Sequence, residues 1–285
     1  MVTGAVPGRA AGAEPAASLV RLRVACLLLA FVACVPGLLQ LEFLWQQSDY
    51  LGHAYLIPFT AIFLAYSRRE AVIGALRSGA EGRFGIPAVL AASTIEAVAV
   101  LAHSAFVAGI GIPLLIGTTA YAVAGTRLLR ACLPSLLFLL LMVPPPLFVQ
   151  DRLLIGLKAV VVSVSVGLLQ QVGFSIAASG NRIFVPQSEL LVADACSGLT
   201  SVVTLAPLAA VVAYFLSRGT WRRVVIVAAA VPFAILGNVL RVIITVVLVS
   251  RFGLGYAEGI LHDSFGLATF VLGTAFLLGL ARLLR

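Results

Sequence analysis

Apolar runs of about 20 residues recur from residue 24 to the C-terminus, and the short stretches between them carry most of the charge as arginine. A run of that length matches the thickness of a bilayer. Inside the bilayer the backbone can satisfy its own hydrogen bonds only as a helix or a closed barrel. The apolar–polar alternation of a barrel strand is missing, which leaves an all-α, polytopic membrane bundle. The composition agrees: 61% of the 285 residues are hydrophobic and 11% are charged. A soluble domain is about a quarter charged.

The formal charge of +8 does not imply a nucleic-acid partner. The arginines fall in clusters between apolar runs, as the positive-inside rule predicts, not on a basic face interleaved with aromatics. The partner so implied is the lipid bilayer. Residues 1–20 are expected to be a disordered cytoplasmic N-terminus and 21–285 a single transmembrane domain. Arg21 and Arg23 before the run 24–41 read as an uncleaved signal anchor.

Candidate spans are 22–41, 53–67, 84–105, 108–126, 131–149, 153–175, 197–216, 222–249 and 262–283. The clusters Arg21/Arg23, Arg68/Arg69/Arg77/Arg83, Arg127/Arg130, Arg218/Arg222/Arg223 and Arg282/Arg285 are assigned to the cytoplasm. The segments 42–52, 176–195 and 251–261, which hold Glu42, Asp49, Glu189, Asp194 and Glu258, are assigned outside. Parity then requires that one of the two runs between Arg130 and residue 176 does not cross. The run 153–175 follows Pro144-Pro145-Pro146 and carries Lys158, Ser163, Ser165, Gln170 and Gln171, so it is expected to re-enter or lie along the outer interface. About eight transmembrane helices remain.

This topology brings three chemically capable side chains to one side of the membrane. Cys196 opens the span 197–216 from outside, Arg241 lies about 10 Å below the outer end of its own span, and His262 opens the last span from outside. Cys26, Cys34 and Cys132 fall within apolar runs, where a thiol is a small hydrophobe. No spacing of Cys and His suits a metal, and no cofactor motif appears.

Each of the three has a plain structural reading beside the functional one. Cys196 is either a buried cysteine at a helix start or a nucleophile whose thiolate the helix N-terminus favours. Ser197 and Gly198 expose backbone N–H groups suited to an oxyanion, and Asp194 could cap the helix. Arg241, preceded by Asn238, costs at least about 2.5–3.5 kcal/mol at the centre of a span, so it faces a cavity or pairs with an acid such as Glu96. Glu96 and His103, seven residues apart, could line a separate polar seam. His262 is an interfacial histidine or a general acid–base, and the role of the adjacent Asp263 is open. His53 is a weaker candidate for the outer surface.

Leu191-Val192-Ala193-Asp194-Ala195-Cys196-Ser197-Gly198-Leu199 resembles the cysteine motif of the exosortase/archaeosortase family. Asn238-Val239-Leu240-Arg241 resembles its arginine motif, and His262-Asp263 with Gly266 its histidine motif. Weaker similarity reaches His53-Ala54-Tyr55-Leu56-Ile57-Pro58 with Arg68-Arg69, and the proline break at 143–146. Asp194 stands where the family usually has Glu.

The resemblance implies a membrane-embedded cysteine transpeptidase of the cytoplasmic membrane, its active site facing outward. Its partners would be exported proteins ending in a short motif (often Pro-Glu-Pro), a transmembrane helix and a basic tail, together with an unidentified acceptor nucleophile or water. By carry-over Cys196 is the nucleophile, Arg241 stabilises thiolate or oxyanion, and His262 moves protons. The alternatives are a transporter using Glu96, His103 and Arg241, or a structural subunit of an envelope or exopolysaccharide-export assembly.

Overall fold

The computed structural model describes residues 13–48, 50–78, 81–185, 188–191, 198–253 and 260–285. The chain forms two compact units, one of residues 1–47 and 54–144, the other of 48–53 and 145–285.

The first unit contains α1 (Ala13–Ala33), α2 (Val35–Gln46), α3 (Leu56–Ser67), α4 (Arg69–Arg77), α5 (Gly85–Leu101) and α6 (Ala105–Leu139). α1 thus begins inside the stretch 1–20 that was expected to be disordered. α6 is the element against which the other five pack. It is not one rod. Ala124 and Gly125 leave helical geometry, Gly125 with φ +66°, and the arms 105–123 and 126–139 fold back on each other. A Cβ at Gly117 would stand 3.1 Å from Leu136, whereas a straight helix would separate those residues by about 28 Å. Glycine is required at 125 because an L side chain is strained at that φ.

α5 ends in a helix-terminating motif that reverses the chain into α6. His103 takes φ +51°, its N–H bonds Val100 O, and Ser104 N–H bonds Ala99 O. His103 is exposed beyond the helix, whereas Glu96 is 3% exposed within it. The polar seam expected of these two therefore does not form. The basic clusters at one end of this unit do meet. Arg23 Nη1 donates to Leu76 O at 2.6 Å, and Arg68 Nη1 donates to Arg130 O at 3.1 Å.

The second unit contains α7 (Leu147–Gln171), the strands β1 (Ala177–Ser179), β2 (Arg182–Val185) and β3 (Ser188–Leu191), then α8 (Leu199–Leu216), α9 (Thr220–Phe252) and α10 (Ile260–Leu283). α7 is one unbroken 25-residue helix. The re-entrant form expected for 153–175 does not hold, and the helix starts directly after the proline break. The small antiparallel sheet, in the order β1-β2-β3, was not anticipated in an all-α chain. It turns at Gly180, with φ +62°, and pairs Ser179 with Arg182.

α9 is the spine of this unit. Its first half packs with α8 and α10 through Ile226, Ala230 and Ala234 against Leu205, Ala209, Val212, Ala213, Leu277 and Ala281. Its second half packs through Val239, Val242, Val246 and Val249 against α7 and the sheet, where Ile183 and Val185 point inward from β2.

Among the described residues, five helices are long and apolar enough to cross a membrane, or six if α1 and α2 form one span across their 41° bend. The expected eight exceed this count for physical reasons. α3 has 12 residues and α5 has 17, and the run 105–142 counts once although it doubles back. The protein is a multi-pass, helical membrane protein.

Candidate active site

Between its two apolar clusters α9 presents Gly237, Asn238 and Arg241. The register with α10 is antiparallel and tight. Phe233 stacks on Phe276 with centroids 5.4 Å apart, and a Cβ at Gly237 would stand 3.5 Å from Thr269. One further turn along, the Arg241 guanidinium lies against Gly266, where a Cβ would stand 3.2 Å from both Cζ and Nη1. Glycine at 266 lets the arginine lie along α10 in place of a side chain. His262 and Asp263 lie on the first turns of α10, His262 one helical turn, about 6 Å, before Gly266.

α8 begins beside the same stretch of α9. Its N-cap is Gly198, with φ +91°; the capping expected of Asp194 lies outside the described residues. Two constraints demand glycine there. The φ lies in the left-handed region, and a Cβ would stand 2.8 Å from Asn238 Nδ2. Ser201, one turn into α8, donates to Asn238 Oδ1 at 3.5 Å. A Cβ at Gly273 on α10 would stand 3.3 Å from Leu205 on α8. This contact is offset by the same number of residues as Gly198 from Gly266, since 273 − 205 and 266 − 198 are both 68, so the two glycines share a level.

One turn of α9 therefore touches both flanking helices, Asn238 toward α8 and Arg241 toward α10. Asn238 is 1% exposed and Arg241 is half-buried with its Nε buried. The N-terminus of α8 adds the positive end of a helix dipole. An amide, a guanidinium and a helix N-terminus at one level suit a developing anion. Asp194, Cys196 and Ser197 lie outside the described residues, as do the side chains of His262 and Asp263.

Two expectations from the sequence find no place in this site. Glu96 belongs to the first unit, where its carboxylate lies against Gly37 and Gly111 and both oxygens are buried without a hydrogen-bond partner among the described residues. His53 Nδ1 instead lies 3.2 Å from Tyr50 O. Ser201 was not anticipated, although a hydroxyl one turn after the Cys-Ser-Gly segment is a readable signal. No group of three or more metal-ligating side chains occurs among the described residues.

No curated protein and no solved structure matches the chain. A family model does match, that of the transmembrane exosortases, over residues 45–279. This range covers most of the chain and includes the Cys196 segment, the Asn238–Arg241 turn and the start of α10. The chain belongs to the transmembrane exosortase family.

Proposed function

We propose that this protein is a cysteine transpeptidase of the cytoplasmic membrane that cleaves C-terminal sorting signals of exported proteins at the outer face. Its N-terminus is cytoplasmic, and both helical units serve one exosortase-like domain over 21–285. The observation that carries the reading is the turn of α9 whose Asn238 reaches Gly198, two residues after Cys196, and whose Arg241 reaches Gly266, one turn after His262. Residues far apart in sequence, one from each motif segment, thus meet at one level of one helix bundle.

In the proposed cycle Cys196 passes its thiol proton to His262, and the thiolate Sγ bonds to the scissile carbonyl carbon. The C–N bond breaks, and the departing amine takes a proton from His262. A thioester holds the exported protein on Cys196 until an acceptor nucleophile or water, deprotonated by His262, attacks it and frees the thiol. Arg241 supplies positive charge to the thiolate and to the oxyanion of each tetrahedral intermediate. Asp194, Ser197, Gly198, Asn238 and Asp263 support these three. The chemistry needs no metal and no organic cofactor.

The test is co-expression with an exported reporter that ends in a short motif, an apolar helix and an arginine-rich tail. Cys196→Ala is expected to leave the reporter full-length, and hydroxylamine to release it from the wild-type thioester. Processing that persists in Cys196→Ala rules the reading out.

A further inference from the structure

Asn238 is the least accessible polar side chain of the α9 turn that carries Arg241, at 1% exposed, and its amide is only half used. Oδ1 accepts a hydrogen bond from Ser201 Oγ, while Nδ2 is buried with no hydrogen-bond partner among the described residues. A buried amide donor left unsatisfied costs about 1–3 kcal/mol. Such groups persist where a ligand or a reacting atom completes them. The Nδ2 atom lies beside Gly198. It fills the space that a side chain at 198 would take, 2.8 Å from the Cβ position, beside the N-cap of the 18-residue helix α8. The residue proposed as nucleophile is two peptide units upstream, at most about 7 Å of chain.

We propose that the Asn238 amide is an oxyanion donor, its Nδ2–H bonding the scissile carbonyl oxygen as the Cys196 thiolate, its proton passed to His262, adds to the carbon. This inference rests on the transpeptidase reading and assigns one atom within it. As the S–C bond forms, the carbonyl π electrons move to oxygen, and the oxyanion accepts the Nδ2–H hydrogen bond. As the C=O bond re-forms, the amine is expelled and takes its proton from His262. Asn238 neither gains nor loses a proton.

Asn238 and Arg241 then divide the work. A donor fixed by burial and by Ser201 is preorganised, so it needs no rearrangement when charge develops. It is unsatisfied in the free enzyme and satisfied in the transition state, which is the condition for raising kcat and not merely affinity. Arg241, on a longer and more flexible side chain, supplies charge from the α10 side.

The experiment uses the full-length protein in membranes with the tailed reporter and three variants, Asn238→Ala, Asn238→Asp and Cys196→Ala. Asn238→Asp keeps the shape and removes the donor. Both Asn238 variants are expected to process the reporter about 100- to 1000-fold more slowly. Reporter capture, measured by crosslinking in the Cys196→Ala background, stays unchanged when Asn238→Ala is added. The pH profile of Cys196 alkylation by iodoacetamide in Asn238→Ala stays that of the wild type.

Processing within about threefold of wild type in either variant overturns the assignment, with ΔΔG‡ then under about 0.7 kcal/mol. A shifted alkylation profile or lost capture in Asn238→Ala also overturns it, because Asn238 would then act by shaping the site. If Cys196→Ala still processes the reporter, the transpeptidase reading itself fails. If Cys196→Ala is inactive and Asn238→Asp is active, only the assignment of Asn238 fails.

Discussion

The Arg241 guanidinium on α9 lies against Gly266 on α10, where a Cβ would stand 3.2 Å from Cζ and 3.3 Å from Nη2. The obstructing group is the far end of a flexible side chain, so the fold can absorb a methyl there by moving the arginine. Gly266→Ala is therefore expected to leave thermal stability within about 1 kcal/mol and to slow reporter processing about tenfold or more. Paired melting curves and processing rates check this, and an unchanged rate would show that the position of Arg241 is unimportant.

Arg241→Lys is expected to recover little of the activity lost in Arg241→Ala. A lysine is a single point charge on a more strongly hydrated head, without the planar fork that lies along α10. Processing rates of the two variants, normalised to protein in the membrane, decide the matter.

Gly198→Ala meets both the left-handed φ of +91° and the 2.8 Å approach to Asn238 Nδ2. It is expected to cost about 1–3 kcal/mol in stability and to abolish processing. Gly219→Ala is the control for φ alone, since it has φ +94° and no atom within 4 Å of its Cβ position. It should lose stability and keep processing.

Glu96 presses its carboxylate on Gly37 of α2 and Gly111 of α6, and a Cβ at either glycine would overlap a carboxylate oxygen. Gly37→Ala and Gly111→Ala are each expected to destabilise the protein by about 1–3 kcal/mol, the range for overpacking. Glu96→Ala should relieve most of that loss, so the double variants should show strong coupling in thermal melts. Simple additivity would mean that the three residues do not share one contact.

Cys34 is fully buried with its thiol 3.9 Å from Ile112 O, and Cys26 and Cys132 are half-buried free thiols. The triple change of these cysteines to Ala is expected to keep processing near the wild-type rate. A loss of activity with the fold intact would place chemistry on a thiol other than Cys196.

Much of the helical plan was legible in the chain, because a membrane-length apolar run has few alternatives. Most expected spans fall on helices, although 22–41 covers the bend between α1 and α2 and 131–149 runs past α6 and the proline break into α7. The Arg68 and Arg130 clusters placed on one side do meet. The sheet at 177–191 was missed because its strands are three or four residues long, too short for alternation to stand out. The Ser179-Gly180-Asn181-Arg182 turn was its one clear signal. Parity over the arginine clusters and the polar residues from Lys158 to Gln171 suggest a broken or interfacial run at 153–175, whereas α7 is a continuous helix.

Read along the chain alone, the residues specify a multi-pass helical protein, the side on which each arginine cluster is expected, and the side chains with the chemistry to react. Hydropathy and charge act locally along the chain, so both can be read without a fold. The packed helices alone place Asn238 against Gly198, Arg241 against Gly266, and the Glu96 carboxylate between Gly37 and Gly111. Those outcomes depend on which faces of which helices pack and in what register. Interhelical register is set by the fit of small residues such as Gly237, Gly266 and Gly273 against their neighbours, and that fit exists only once the helices meet.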